Sequence, residues 1–213
     1  MAPHEVPIAM DFKLRDGTPV VIRPIFPEDR DRLREGMHRL SQQSRYRRFG
    51  ATVSELTEDQ LSYLTEIDHT DHMAWIALDP NVSGEPGLGV ARYVRLTEEP
   101  EVAEAAVIVA DNVQGLGLGT ILLSLLGVSA LTHGIRTFRA YVLVENRVML
   151  EILREMGGNV TLEEPGVYRV DLPLSEDPDD IPDTPTGRVF KAVAKRVVPP
   201  LEVLRRTMPD SPG

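Results

Sequence analysis

Residue types and spacing that could do chemistry stand closest together in Gln114-Gly115-Leu116-Gly117-Leu118-Gly119-Thr120. A β-branched run, Val107-Ile108-Val109, comes just before, and an apolar segment with helical character, Ile121 to Thr132, follows directly. Alternate glycines between a strand and a helix leave bare backbone. Its N–H groups can close around an anion where the helix dipole adds about half a positive charge. That chemistry holds a pyrophosphate. The competing reading is a strand-to-helix turn that merely packs tightly. Two familiar glycine signatures do not fit. A phosphate loop of the NTPase type needs Gly-Lys-Ser/Thr, and Gly119-Thr120 has no lysine between its members. A dinucleotide fingerprint needs G-x-G-x-x-G with an acid about 20 residues on. Here the run is G-x-G-x-G, and Gly134-Ile135-Arg136 stands where the acid should be.

The elements around the loop read as a mixed α/β unit. Val20 to Pro24 is a short strand stopped by proline, and Pro27-Glu28-Asp29 opens a helix with Leu33, Met37 and Leu40 on one face. Thr57-Glu58-Asp59-Gln60 is a capping box, opening a second helix with Leu61, Leu64 and Ile67 facing the core. Strands are expected at Met73 to Leu78, Gly87 to Leu96 and Val102 to Ala110, the last ending at the glycine loop. The helix Ile121 to Thr132 is apolar almost all round, hence buried, with Gly134 placed as its C-cap. Arg139 to Val144 is a further strand, Asn146 to Met156 a further helix, and Asn159–Leu162 with Val167–Leu172 a hairpin turning at Pro165-Gly166. Residues 174–187 are an acidic, proline-rich linker, and residues 188–213 a basic amphipathic extension interrupted by Pro199-Pro200. The extension's valines and Phe190 suit packing on the chain's own domain or on a second copy, which makes a homodimer through this segment an expectation. The main domain is expected over 1–173.

The chain has 213 residues, no cysteine and a formal net charge of −10. Its length suffices for a substantial core. The absence of cysteine excludes an acyl-cysteine intermediate. The negative charge argues against general binding to nucleic acid and is compatible with a basic substrate. No run of about 18 apolar residues exists, and Met1-Ala2-Pro3-His4-Glu5 lacks a signal pattern, so a cytoplasmic location with no membrane contact is expected.

Gln114-x-x-Gly117-x-Gly119 resembles the acyl-CoA loop of the GNAT superfamily of N-acyltransferases. The order of elements over residues 18–172 is similar to the same fold: a mixed central sheet of six to seven strands, splayed at the acyl-CoA site and flanked by about four helices. Leu40-Ser41-Gln42-Gln43-Ser44-Arg45-Tyr46-Arg47-Arg48-Phe49, Asp68-His69 with His72-Met73-Ala74, Val102 to Val107, and Glu145 to Leu150 look most like bacterial protein lysine acetyltransferase domains. The resemblance implies acetyl-CoA as donor. Val107, Ile108 and Val109 would offer backbone groups to its pantetheine arm, and Gly115 through Thr120 would hold its pyrophosphate. Asn146 would hydrogen-bond near the pantetheine, while it also suits a plain N-cap. The implied acceptor is the ε-amine of a protein lysine. A small-molecule amine, or a regulatory module that binds acyl-CoA without turnover, are the alternatives.

Glu104 is the expected general base, on the strand this family uses for that purpose. A lysine with a pKa of about 10.4 is neutral in roughly one molecule in 2,500 at pH 7, a cost of about 4.6 kcal/mol. A placed carboxylate that takes the proton contributes about 10²–10⁴ in rate. Glu98, Glu99 and Glu101 lie close by, so an exposed edge-strand acid is the alternative; alternation puts Glu104 on one face with Ala106 and Ile108. Two departures from the family pattern stand out. Leu116 occupies a position where Arg or Lys is frequent, so pyrophosphate binding would rest on backbone N–H groups. Leu153 stands where a tyrosine often protonates the leaving thiolate; water could serve, and the general acid is left unassigned. No metal is expected: Asp68-His69-Thr70-Asp71-His72 is a short loop cluster, and His69 or His72 better suit an active-site wall. Gly127-Val128-Ser129-Ala130-Leu131 is a near miss to a nucleophile elbow and reads as core. Arg45, Arg47 and Arg48 are too few for a nucleic-acid face.

Overall fold

The computed structural model describes residues 9–49, 55–177 and 179–207. The strands are β1 (Met10–Lys13), β2 (Pro19–Pro24), β3 (His72–Leu78), β4 (Gly87–Arg95), β5 (Val102–Val109), β6 (Thr137–Leu143), β7 (Asn159–Glu164) and β8 (Val167–Pro173). The helices are α1 (Arg30–Arg39), α2 (Gln42–Phe49), α3 (Glu58–Thr65), α4 (Leu118–Thr132), α5 (Arg147–Glu155) and α6 (Pro185–Thr207). These strands join one sheet in the order β1-β2-β3-β4-β5-β6-β8-β7. Every neighbouring pair is antiparallel except β5 and β6, which are parallel because α4 carries the chain over one face between them.

Among the described residues, eight strands and six helices replace the expected six to seven and about four. The added strand, β1, has only four residues, too few to show a period, yet Met10 and Phe12 point into the core while Asp11 and Lys13 stay exposed. The added helices are α2, which is mostly polar, and α6. The latter begins at Pro185, inside the expected linker, and its backbone stays helical through Pro199-Pro200. Proline removes a donor but shares the helical φ, so the helix persists with fewer ladder bonds.

Both faces of the sheet are covered. On one side α4 packs on β3, β4 and β5, and α6 packs on α4. The core there holds Trp75, Tyr93, Leu122, Leu125, Leu126 and Phe138, and also Phe190 and Val193 of α6. Among the described side chains of α6, Phe190, Val193 and Val189 are thus used within the chain. Ser129, inside the apolar helix, is 1% exposed; its Oγ accepts the Trp75 indole N–H at 3.0 Å and donates to the Leu125 carbonyl at 3.0 Å, as the core reading of that segment requires. On the other side Ile25, Ala74, Ile76 and Leu78 form a smaller core with Leu33 of α1. Arg23 of β2 pins the start of α1 through two 2.7 Å bonds to the buried Asp29 carboxylate. Burial pushes that carboxyl up, but the Arg23 and Phe26 hydrogen bonds and the charges of Arg23 and Arg32 outweigh it and hold it below the usual range.

Candidate active site

The site begins where the sheet comes apart. β5 and β6 pair only at Val102↔Thr137, Ala103↔Phe138 and Glu104↔Arg139. Beyond Glu104, β5 continues against β4 as far as Gly89↔Val109, while β6 continues against β8 as far as Leu143↔Val167. Among the described residues, the β6-side backbone edge of β5 from Ala105 to Val109 therefore has no strand partner. Unpaired edge groups of this kind accept an extended ligand as an additional strand. A cleft of about 590 Å³ fills the wedge, lined by Ala105 to Val109 on one wall and by Ala140 to Val142 on the other.

The glycine loop closes one end of the cleft. A 3-10 turn, Asp111–Val113, ends β5, and the Gln114 amide donates to the Val109 carbonyl (3.0 Å), the Asp111 carboxylate (3.2 Å) and the Ser44 hydroxyl (3.1 Å). Asp111 also accepts from the Ser41 N–H (2.7 Å) and from the hydroxyls of Ser41 (3.0 Å) and Ser44 (2.6 Å), which ties the start of α2 to the loop. Burial raises the Asp111 carboxyl and these hydrogen bonds more than reverse it, so it lies below its ordinary value. The Gln114 side chain thus braces the loop, while its residue still lines the cleft.

Gly115 and Gly117 have φ of 76° and 93°, in the left-handed region that favours glycine. Gly117 is the N-cap of α4 and brings no side-chain cap; Ile121 N–H closes the first turn on its carbonyl at 3.1 Å. The N–H groups of Leu118, Gly119 and Thr120 precede that bond and have no carbonyl of their own helix to reach. The helix starts at Leu118, three residues earlier than the apolar run implied, because the cap lies inside the glycine loop. Leu118 is buried, and Leu116 packs against the same core.

Glu104 is exposed and lines the cleft at the point where the strands part. Ala103 and Ala105 bury toward α4, so Glu104 projects to the opposite face with Ala106 and Ile108, as the alternation required. Its register partner Arg139 is held elsewhere, by Glu99 at 2.5 Å and Asp171 at 2.8 Å. Among the described residues Glu104 has no ion-pair partner, so its carboxylate is not neutralised by a neighbour. Ala106 and Ile108 also line a smaller apolar cavity under α1, with Leu33, Met37, Leu64 and Arg92. One short piece of β5 thus borders a cavity on each face of the sheet.

Asn146 lines the cleft and caps α5, its Oδ1 accepting from Met149 N–H at 3.4 Å. The N-cap role is the one the geometry contains, and the residue also lies on the cleft wall. Leu153 is 3% exposed and packs in the core, leaving Tyr141, 48% exposed, as the phenol on the cleft wall. His69 and His72 line neither cavity. His72 Nε2 contacts Arg92 Nη1 at 2.9 Å, and burial, with the Arg92 charge adding to it, pulls its pKa down to about 4. The Asp68 carboxylate accepts the N–H groups of Thr70, Asp71 and His72 and so shapes that loop.

Several contributors escape a reading of the sequence. Arg15, Ser44 and Tyr141 line the cleft, as do Pro185 and Thr186 at the start of α6. Thr184 caps that helix by accepting from Gly187 N–H at 2.9 Å, and Thr186 donates to the Glu155 carboxylate at the end of α5. The Asp16-Gly17 turn is the signal that a hairpin carries Arg15 into the domain; nothing local marks the others.

A mixed sheet split between two parallel strands, with a bare helix start at the mouth of the split, defines the N-acyltransferase class of fold. The acetyltransferase (GNAT) family matches residues 35–157. The chain is 34% identical over 192 residues to the acetyltransferase Pat of Mycolicibacterium smegmatis, covering 86% of this chain and 56% of that protein. It is 35% identical over 144 residues to an acetyltransferase of Pseudomonas aeruginosa, covering 68% of this chain and 77% of the relative. The GNAT domain of S. lividans PAT superposes with a TM-score of 0.71 at 30% identity, covering 78% of this chain and 97% of that one. A cAMP-binding acyltransferase from Mycobacterium smegmatis superposes with a TM-score of 0.58 at 28% identity, over 91% of this chain and 56% of that one. The chain belongs to the acetyltransferase (GNAT) family. It spans about half the length of the mycobacterial relative. No helix among the described residues is long and apolar enough to cross a membrane.

Proposed function

We propose that this chain transfers the acetyl group of acetyl-CoA directly to the ε-amine of a protein lysine. The observation that carries this reading is the parting of β5 from β6, which leaves backbone groups of Val107 and Val109 facing a cleft that runs to the bare start of α4, while those of Ile108 turn toward β4. The pantetheine arm lies along that edge as a short extra strand, and the pyrophosphate meets the N–H groups from Gly115 to Thr120. The absence of side chains at Gly115, Gly117 and Gly119 suits a phosphate approaching the backbone closely.

Glu104 takes a proton from the acceptor ammonium, directly or through a water, on the face of β5 opposite α4. The neutral amine nitrogen then bonds to the thioester carbonyl carbon. A backbone N–H at the end of the Val107–Val109 run donates to the oxygen as it gains charge. The nitrogen gives up its second proton to water, the carbon–sulfur bond breaks, CoA leaves as thiolate and takes a proton from water, and the neutral amide remains on the acceptor. Nothing in the sequence supplies a cysteine for a two-step route. The kinship with the acetyltransferase Pat and with the S. lividans PAT domain supports acetyl transfer, and the resemblance of the sequence to bacterial protein lysine acetyltransferase domains favours a protein acceptor.

The test is CoA release from acetyl-CoA in the presence of bacterial lysate proteins and, in parallel, a panel of small amines. Acetyl-lysine on protein, with thiol release in proportion, is the expected result. Turnover confined to a small amine would overturn the protein acceptor, and binding without turnover on either would overturn the enzymatic reading.

A further inference from the structure

Leu116 sits in the glycine loop where a cation is frequent in the loops it resembles, and an arginine reaches the same loop from another part of the fold. Leu116 turns into the core, and its carbonyl accepts the backbone N–H of Arg15 at 3.1 Å. That bond brings the turn between β1 and β2 onto the loop and lays the Arg15 side chain across Gly117. A Cβ placed on Gly117 would lie 3.5 Å from Arg15 Nε, 3.7 Å from Cγ and 3.9 Å from Cδ. The turn is itself fixed: Leu14 N–H donates to the Thr18 carbonyl and Gly17 N–H to the Leu14 carbonyl, each at 2.9 Å. Asp16, the nearest acid in sequence, is engaged inside the turn, accepting the Thr18 N–H at 3.0 Å and its hydroxyl at 2.8 Å.

Arg15 is exposed and lines the cleft with Gly115, Gly117, Gly119 and Thr120. Among the described residues its guanidinium has no hydrogen-bond or ion-pair partner. By contrast Arg23, Arg32, Arg95 and Arg139 are each held by a carboxylate. In a chain of net charge −10, a cation left unpaired beside a bare helix start calls for a counter-charge from outside the chain.

We propose that Arg15 is the pyrophosphate-binding cation of this site, reaching over the loop from the β1–β2 hairpin in place of the side chain that Leu116 turns inward. The inference rests on the acetyl-CoA reading above. A planar guanidinium can present two N–H groups to phosphate oxygens, while the loop N–H groups serve the same phosphates from the backbone.

Calorimetric titration of the full chain with acetyl-CoA and with 3′-dephospho-acetyl-CoA tests it, using Arg15→Gln and Arg15→Lys. Arg15→Gln is expected to weaken acetyl-CoA binding about tenfold, the worth of one charge-assisted hydrogen bond at a solvent-facing site. The same factor should appear with the dephospho analogue, which keeps the pyrophosphate, and the salt dependence of binding should flatten. Arg15→Lys should retain most of the affinity, weakening it about threefold, because the charge stays and the fork does not. Melting temperatures without ligand should match the wild type, since the side chain makes no internal bond. Arg15→Gln binding within twofold of wild type would overturn the proposal, as would a factor that vanishes with the dephospho analogue. If the wild type itself fails to bind acetyl-CoA, the proposed function falls, and that outcome is distinct from the failure of the Arg15 assignment.

Discussion

Alanine at Gly117 and alanine at Gly119 should move stability in opposite directions, although the two glycines are two residues apart in one loop. Gly117 has φ 93° and ψ −2°, and an L-residue there costs about 1–2 kcal/mol. The new Cβ would be 3.5 Å from Arg15 Nε, an ordinary contact with a flexible side chain, so sterics add little. Gly119 lies in the first turn of α4, and its Cβ would meet only Val109 Cγ2 at 3.6 Å. Alanine gains about 0.5–1 kcal/mol over glycine in a helix. A chain of this size shifts its Tm by about 2–4 °C per kcal/mol. Gly117→Ala should therefore melt about 4 °C lower than wild type, and Gly119→Ala about 2 °C higher. Differential scanning calorimetry of both variants without ligand reads this directly. If Gly117→Ala is as stable as wild type, or the two variants shift in the same direction, the left-handed cap at the start of α4 is wrong and the loop is not the pre-shaped cradle described above.

Glu104→Gln keeps the side-chain shape and removes the base, so kcat/KM for acetyl transfer should fall about 10²–10⁴-fold; an unchanged kcat/KM across pH would remove Glu104 from the chemistry. His72, half-buried beside Arg92, should stay neutral in solution until the pH approaches about 4, and an NMR titration midpoint near the ordinary 6.5 would contradict its placement. Because its folded pKa lies below the unfolded value, its contribution to stability is full above about 6.5 and is lost as the pH falls through about 4. Phe190→Ala should cost about 3 kcal/mol in urea unfolding, since the ring is 8% exposed and packs with the α4 core. A cost under about 0.5 kcal/mol, the range of an ordinary surface substitution, would mean α6 is not docked.

What the sequence made legible was local. The capping box at Thr57 and Gln60 forms with reciprocal bonds of 2.9 and 3.2 Å, because its partners lie within one turn. Strand β5, the glycine loop and α4 were readable together because they follow one another along the chain. The face of Glu104 followed from strand alternation alone. Parts that arrive through tertiary contact were not legible. Arg15 reaches the loop only because a four-residue edge strand and one backbone bond to Leu116 carry it there. Tyr141 joins the cleft wall because β6 separates from β5, and Thr186 because α6 docks on the end of α5. The polar helix α2 carries too few apolar residues to show a period, and its role, holding Asp111 through Ser41 and Ser44, is visible only in space.

The central claim is that acetyl-CoA lies in the wedge between β5 and β6 with its phosphates at the start of α4. Amide hydrogen exchange measured with and without acetyl-CoA tests it most directly. New protection concentrated at residues 105–109 and 115–120 is the expected result. Protection absent from both segments while acetyl-CoA is bound, or confined to the α1 and α3 side of the sheet, would contradict it.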